Sequence, residues 1–383
     1  MSEQNAAINP PPPEQDSRSE IDAGTLSQWQ LIRMRFRKHR LAVVSLRVLV
    51  VLYTCALFAE FFAPYSKSWH SLDHMYSPPQ LPRLSLKHGL HTWAVELHTD
   101  PVTFRRTYII NRENPIALGF FVRGERYKLL GLVTWDRHFF GIRNFDRTGE
   151  NSPVTFFLLG GDKYGHDLFS RILFGARISL SVGLIGIAIS FVLGLTIGGI
   201  SGYAGGTVDN LIQRGIEIIN AFPKLPLWLA FAAIMPADWS PLRVYFGITI
   251  VLSLMGWTGL ARVVRGKILS LREEDYAVAA RLLGASHFRI IFRHLLPGFT
   301  SHVIVSLTLT VPGMILGETS LSFLGLGLRP PVVSWGVLLQ DCMNMQVVSN
   351  YPWLLLPVVF IVMTVLCFNF LGDGLRDAAD PYH

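Results

Sequence analysis

The stretch Ser270–Gly298, SLREEDYAVAARLLGASHFRIIFRHLLPG, is charged, rich in alanine and broken by one glycine, yet strongly apolar runs flank it on both sides. Its local reading is helix, turn, helix. Ser270 and Glu273 have the spacing of a capping box, in which the hydroxyl takes a free backbone N–H and the carboxylate reaches back. Glu273, Glu274 and Asp275 fill the first turn, where the helix dipole favours negative charge. Ala277, Ala279, Ala280, Leu282 and Leu283 propagate a helix well. Gly284 suits the left-handed position that ends one. Ser286 starts a second short helix that runs through His294, and Pro297 fits the first turn of the next membrane helix. Tyr276, Ala279, Ala280 and Leu283 recur at helical spacing on one side. Connections between elements are usually short, so an ordered segment with two caps is a poor fit to a plain connector. A soluble helix with a small apolar stripe reads as a docking element.

The rest of the chain is built for lipid. Of 383 residues, 50% are apolar and only 16% charged, against about 25% charged in ordinary domains. The apolar residues come in blocks, and six of these are long enough to span a bilayer. They run from Leu41 to about Ala63, Ile178 to about Ile200, Ile216 to Met235, Tyr245 to about Val264, Phe299 to Leu321 and Trp353 to about Leu371. Pro223 and Pro226 interrupt the third and predict a kink inside a helix bundle. Residues 1–27 are polar and proline-rich and are expected to be disordered. Residues 28–65 hold a basic segment, with Arg33, Arg35, Arg37, Lys38 and Arg40, and the first span. That basic flank sets the N-terminus in the cytoplasm, and an uncleaved anchor fits better than a signal peptide. Counting spans puts 265–298 on the cytoplasmic side as well, where its Arg and Lys residues outnumber its acids. The core of five spans covers 161–372, and a cytoplasmic tail covers 373–383.

Residues 66–160 are different, being rich in Trp, His, Arg and Pro. VTFRRTYIIN (102–111) and RYKLLGLVTW (126–135) favour strands. This predicts an extracytoplasmic α+β insert the size of a small domain. The net charge of +7 belongs to flanks that orient spans, and no reading motif for nucleic acid is visible. Cys55, Cys342 and Cys367 have neither metal spacing nor a disulfide framework. Asp162-x-x-Gly165-x-Asp167 lacks the alternating ligands of an EF-hand and reads as a turn. His70 and His74 are four apart with no third ligand in register. Glu318 lies several turns into an apolar helix, where a charge is functional by default. It is expected to hydrogen-bond across a subunit pair or to line an outer gate. Asn220, beside the kink, is a further pore candidate. No Walker A loop, zinc-protease motif or nucleophile elbow is present, so this chain is not expected to hydrolyse ATP. A secondary transporter would need coupling carboxylates and repeat symmetry, neither of which is evident. A membrane scaffold with a sensing or adhesive insert is the remaining alternative.

The opening stretch resembles the EAA loop of ATP-binding-cassette import permeases. Ala279, Ala280, Gly284, Leu296 and Pro297 match that pattern at its spacing, while Val278 stands where Glu is frequent and His294 where Ile is usual. GGDKYGHDLFSRILFGARISLSVG (160–183), LGETSLSFLGLG (316–327) and NFLGDGLRDAADP (369–381) resemble the dipeptide and oligopeptide branch of these permeases. The long insert is most similar to that of the E subunit of Yej-type peptide importers. The resemblance implies a type I importer permease fold, all-α and polytopic with six transmembrane helices, in a bacterial inner membrane with both termini cytoplasmic. It implies ATPase docking on Glu273, Glu274, Asp275, Tyr276, Val278, Ala279, Ala280, Arg281, Leu283, Gly284 and Ala285. Asp162, Gly165, Asp167, Arg171 and Arg177 would form the periplasmic lead-in to the second span. Glu318, Asn220, Pro223 and Ser320 would serve pore or gate. The implied partners are a homologous second permease in a heterodimer, one or two ATPase subunits that carry ATP and Mg, and a periplasmic solute-binding protein. The chain itself would need no cofactor. The implied cargo is peptide; related machinery carries oligosaccharides, opines or nickel.

Overall fold

The computed structural model describes residues 28–99, 101–102, 106–143, 155–236 and 238–380. The expected disordered leader, 1–27, lies outside the described residues. The basic segment forms α1 (Gln28–Lys38), and α2 (Arg40–Leu57) follows it as the first membrane helix. His39 caps α2, its Nδ1 accepting from the Ala42 N–H at 3.1 Å. A short helix, α3 (Ala59–Phe62), closes the expected first span with a break at Phe58.

The insert is a four-stranded antiparallel meander of β1 (Arg83–Ser85), β2 (Gly89–Thr99), β3 (Arg106–Leu129) and β4 (Val133–Ile142). One 3-10 turn, Leu72–His74, is the helical structure among its described residues. The α+β expectation for the insert is therefore corrected to β. The segment 126–135 is also not one strand. Leu130 and Gly131 adopt positive φ, +50° and +75°, and turn β3 into β4. The insert is seated by backbone bonds from Tyr76 N–H to the Asp162 carbonyl (2.9 Å) and from Gly161 N–H to the Ser77 carbonyl (2.8 Å).

The bundle comprises α4 (Leu168–Ala204), α5 (Gly206–Ala221), α6 (Lys224–Ile234), α7 (Pro241–Leu271), α8 (Asp275–Leu282), α9 (His287–Arg289), α10 (Leu296–Phe323), α11 (Trp335–Leu338), α12 (Met345–Asn350) and α13 (Leu356–Ala379). Five helices among the described residues are long and apolar enough to cross a membrane, and one bent pair could make a sixth span. That pair is α5 and α6, which meet at 84°. The expected kink at Pro223 is thus a full break, because Pro223 supplies no N–H to continue α5. The pair still runs the length of α7. α5 begins beside Arg265 at one end, while Met235 and Trp239, just past α6, pack over Gly247 near the other.

The centre of the bundle is the α4–α7 contact. A Cβ on Gly194 would meet Leu260 at 2.8 Å, on Gly198 the Ala261 carbonyl oxygen at 2.4 Å, and on Gly202 the Arg265 carbonyl oxygen at 2.8 Å. Glycines four apart bring two backbones together where lipid supplies no hydrophobic drive. At the far edge α13 crosses α2, and a Cβ on Gly374 would overlap that of Ala42. Within the described part of the expected tail, α13 continues to Ala379, and the Arg35 guanidinium donates to the Asp380 carbonyl.

Candidate functional site

The stretch between α7 and α10 folds as helix, turn, helix, with two differences from expectation. The capping box does not form. α7 runs on through Leu271, because Ile268 is fully buried against Ala277, Ala280, Ile290 and Ile291. That burial holds Ser270 in the last turn of α7, and Glu274 becomes the N-cap of α8 without a side-chain cap bond. Glu273 instead accepts from Arg272 Nε at 3.0 Å on the surface. The second helix also does not stop at His294. α9 passes through a π-helical turn, Ile290–Leu295, straight into α10, with a kink at Phe299. π-helical turns concentrate at functional sites.

The end of α8 is as the sequence implies. Gly284 has φ +78°. The Ala285 N–H bonds to the Ala280 carbonyl at 3.1 Å and the Gly284 N–H to the Arg281 carbonyl at 3.0 Å. This pair of bonds is a Schellman motif, which satisfies the last helical carbonyls. Ser286 caps α9, its hydroxyl accepting from Arg289 N–H at 3.3 Å.

The faces of α8 are then fixed by what its small residues bury. Ala277 and Ala280 point inward, at 2% and 8% exposure. Ala280 therefore packs on this chain and leaves the expected docking stripe. Asp275, Tyr276, Ala279, Arg281, Leu283 and Gly284 face outward with Glu273 and Glu274, and Val278 and Ala285 are half-buried. Leu282 and Phe288 join the outward face, which sequence spacing had not singled out; Leu283 is 88% exposed. Arg272 anchors this unit, donating to the Gly202 and Tyr203 carbonyls at 3.1 and 3.2 Å. A cation there also suits the C-terminal dipole of α4. Asp209, at the start of α5, takes Arg265 in a bidentate pair at 2.6 and 2.5 Å, with Ser201 as a further donor. A cavity of about 560 Å3 opens between α8 and the end of α4, bordered by Tyr203, Arg272, Arg281 and His287.

At the other end of α4 the Asp162–Asp167 segment is a turn. Asp162 accepts from the N–H groups of Tyr164 (2.8 Å) and His166 (2.9 Å) and from Arg171 (2.6 Å). Burial alone would raise its carboxyl, but the His166 hydrogen bond and the Arg171 charge outweigh that and hold it below the usual range. Gly165, at φ +74°, has no room for a Cβ beside the Ser71 carbonyl. Asp167 caps α4 through Ser170 N–H at 2.8 Å and Ser170 Oγ at 2.6 Å. Burial pushes its carboxyl up to about 7. Arg177 grips Glu60 with two bonds of 2.7 Å and caps the end of α2 through the Ala56 and Leu57 carbonyls. No group of three or more His, Cys, Asp or Glu among the described residues is placed to hold a metal.

Glu318 does not line a gate within this chain. It is fully buried in its own bundle, where Ser179 and Ser322 donate to it at 3.0 and 2.8 Å. Those serines in turn accept from Trp335 N–H and Leu328 N–H, each at 3.1 Å. The carboxylate thus braces the loop between α10 and α11; its burial cost is met by hydroxyl donors rather than by a pore. Ser320 is half-buried, and Asn220 and Pro223 are exposed at the α5–α6 break, with Thr258 donating to Asn220 Oδ1 at 3.2 Å.

A bundle of helices long and apolar enough to cross a membrane, with a polar helix displayed between two of them, defines a multi-pass membrane protein. Residues 194–382 match the binding-protein-dependent transport system inner membrane component family, and residues 27–79 match the N-terminal TM domain of oligopeptide transport permease C. The oligopeptide transport system permease protein OppC of Bacillus subtilis (strain 168) is 30% identical over 362 residues, 94% of this chain and 92% of that protein. The dipeptide transport system permease protein DppC of the same organism is 41% identical over 223 residues, 58% of this chain and 68% of that protein. A solved chain of the inward-facing MetNI methionine ABC transporter aligns with a TM-score of 0.42 and 17% identity, over 55% of this chain and 97% of that one, too slight a likeness to build on. The chain belongs to the family of binding-protein-dependent transport system inner membrane components.

Proposed function

We propose that this chain is one of two permease subunits of an ATP-driven peptide importer and forms half of its translocation path. The observation that carries the reading is the outward face of α8. Tyr276, Ala279, Leu282 and Leu283 are held out by the inward burial of Ala277 and Ala280 and by the Gly284 cap. An apolar face on a polar helix, rigidly joined to two membrane helices, suits a surface that docks and moves with a motor subunit. The peptide cargo is supported by the relatives, named as oligopeptide and dipeptide transport permeases. In this reading α5 and α6 make the sixth crossing, and both termini and α8 face the cytoplasm. A homologous permease covers the break around Asn220 and Pro223. ATPase subunits dock on α8, and a periplasmic binding protein delivers peptide on the insert side, as in the Yej-type importers that the long insert resembles. ATP binding biases the bundle between two facings through contacts that differ in each state.

The test is copurification. Tyr276→Asp with Leu283→Asp changes two exposed side chains and leaves the buried face intact. The variant is expected to reach the membrane, keep its permease partner and lose the ATPase subunits and peptide uptake. Full ATPase recovery with the double variant refutes docking at α8. Intact docking with a cognate binding protein that carries no peptide refutes the cargo.

A further inference from the structure

α2 has 18 residues and rises about 27 Å at 1.5 Å per residue, close to the hydrocarbon thickness of a bilayer. Leu57 therefore marks one membrane boundary, with Phe61 and Phe62 just beyond it. β4 descends alongside this segment as the chain leaves the membrane. Gly141 lies against Pro64. The His138 Nδ1 is 2.6 Å from the Ala63 carbonyl oxygen. Phe139 meets Phe62 and Phe61, with ring centroids at 5.5 and 6.0 Å. Trp135 stacks on Phe61 at 5.7 Å, and Phe121 joins the same cluster at 6.1 Å. Each step toward the β3–β4 turn is a step back down toward Leu57. Leu132 lies three residues beyond Trp135, about 10 Å further at strand rise.

The side chains at that end are apolar and uncovered. Leu132 is 85% exposed, Phe121 56% and Trp135 43%, and Leu130 and Val133 are exposed with them. Leu130 and Phe121 also hold φ of +50° and +53°, a conformation that costs a residue with a Cβ about 1–2 kcal/mol. Strain that displays leucine and phenylalanine to water has no compensation in water; in lipid it does. Arg126 and Lys128 are exposed on the same tip, with stems long enough to carry their charges to phosphate groups while the leucines sit deeper. Aromatic rings at the boundary and apolar residues below it make the pattern of an interfacial anchor.

We infer that the tip of the β3–β4 hairpin, Leu129–Val133 with Trp135 and Phe121, is seated in the phospholipid leaflet at the Leu57 end of α2. The insert would then be fastened to the bilayer as well as to the bundle. The β2–β3 end of the same sheet, at Thr99, points to the opposite end of β3 and stays in water.

The experiment uses the assembled transporter in phospholipid nanodiscs. Cys55, Cys342 and Cys367 are replaced, and an environment-sensitive fluorophore is placed on Leu132→Cys or Thr99→Cys. The label at 132 is expected to emit to the blue of the label at 99, to be quenched by doxyl lipid and to resist aqueous iodide. Equal iodide quenching at both sites overturns the inference. So does a label at 132 that is shielded only after the binding protein is added, which would assign the tip to that protein. Should replacing the cysteines impair assembly, Trp135→Phe in the otherwise unaltered chain gives the same answer. Trp135 is one of nine tryptophans; the emission lost in that variant is expected to be emission that doxyl lipid quenches in the parent, and lost emission that doxyl lipid leaves unquenched overturns the inference.

Discussion

Gly198→Ala puts the smallest side chain into the closest approach of α4 and α7. Its Cβ would sit 2.4 Å from the Ala261 carbonyl oxygen and 2.8 Å from the Ala261 Cα, both backbone atoms on a helix that cannot rotate away. Against an ordinary contact of 3.4 Å, the deficit at the oxygen is about 1 Å, so the helices must part by that much. Overpacking of this kind costs about 1–3 kcal/mol, and each kcal/mol is worth roughly 2–4 °C in a domain of this size. The displacement is carried to the ends of both helices, where Arg272 joins α7 to the Gly202 and Tyr203 carbonyls beneath α8. Thermal unfolding in nanodiscs, followed by tryptophan emission, is expected to show a lowered Tm together with weaker coupling of ATP hydrolysis to uptake. Gly259→Ala is the control: it lies on α7 with nothing within 4 Å of its Cβ, and alanine gains up to about 1 kcal/mol of helix propensity there. A Gly198→Ala protein as stable as Gly259→Ala refutes the close-packing argument.

Further outcomes follow from three buried carboxyls. Asp167 is raised from 3.8 to about 7 in the folded chain. The folded protein therefore holds a proton that the unfolded one releases between these values, and its contribution to stability falls as pH rises through that window. Asp167→Asn keeps the cap and should flatten this dependence between pH 4 and 7 in thermal scans; an unchanged slope counts against it. Asp162, held low, works the other way, and its contribution is lost as pH falls through the acid range. Replacing Glu318 by Leu strands the Ser179 and Ser322 hydroxyls, at about 1–3 kcal/mol for each unsatisfied group, and should raise hydrogen exchange at Leu328 and Trp335. Glu318→Gln, which keeps a polar partner, should assemble and transport. A transport defect in Glu318→Gln with unchanged exchange would return Glu318 to the gate.

The features of the opening stretch that depend on one or two turns were legible. Gly284 in a left-handed cap and Ser286 as an N-cap follow from backbone sterics and from a hydroxyl within reach of a free N–H. The Asp162–Asp167 turn was legible for the same reason. The capping box at Ser270 failed because burying Ile268 is worth more than one cap, and that burial depends on Ile290 and Ile291, which lie more than a helix away in sequence. That Gly194, Gly198 and Gly202 lie against α7 was not read from the sequence, because a spacing of four does not say which helix is met. Aromatic and β-branched content marked 126–135 as extended without locating the turn at Leu130 and Gly131.

Spans, the polar helix between them and the likeness to import permeases were thus written in the sequence, since hydropathy, helix propensity and cap chemistry act over a few residues. Which face of α8 is buried, that Glu318 braces a loop inside the subunit, and that β4 descends along Phe61 toward Leu57 were decided only by the tertiary structure. These depend on partners from 9 residues apart (Ile268 and Ala277) to 139 apart (Ser179 and Glu318), and no local preference of the chain encodes which of many apolar neighbours a buried residue will meet.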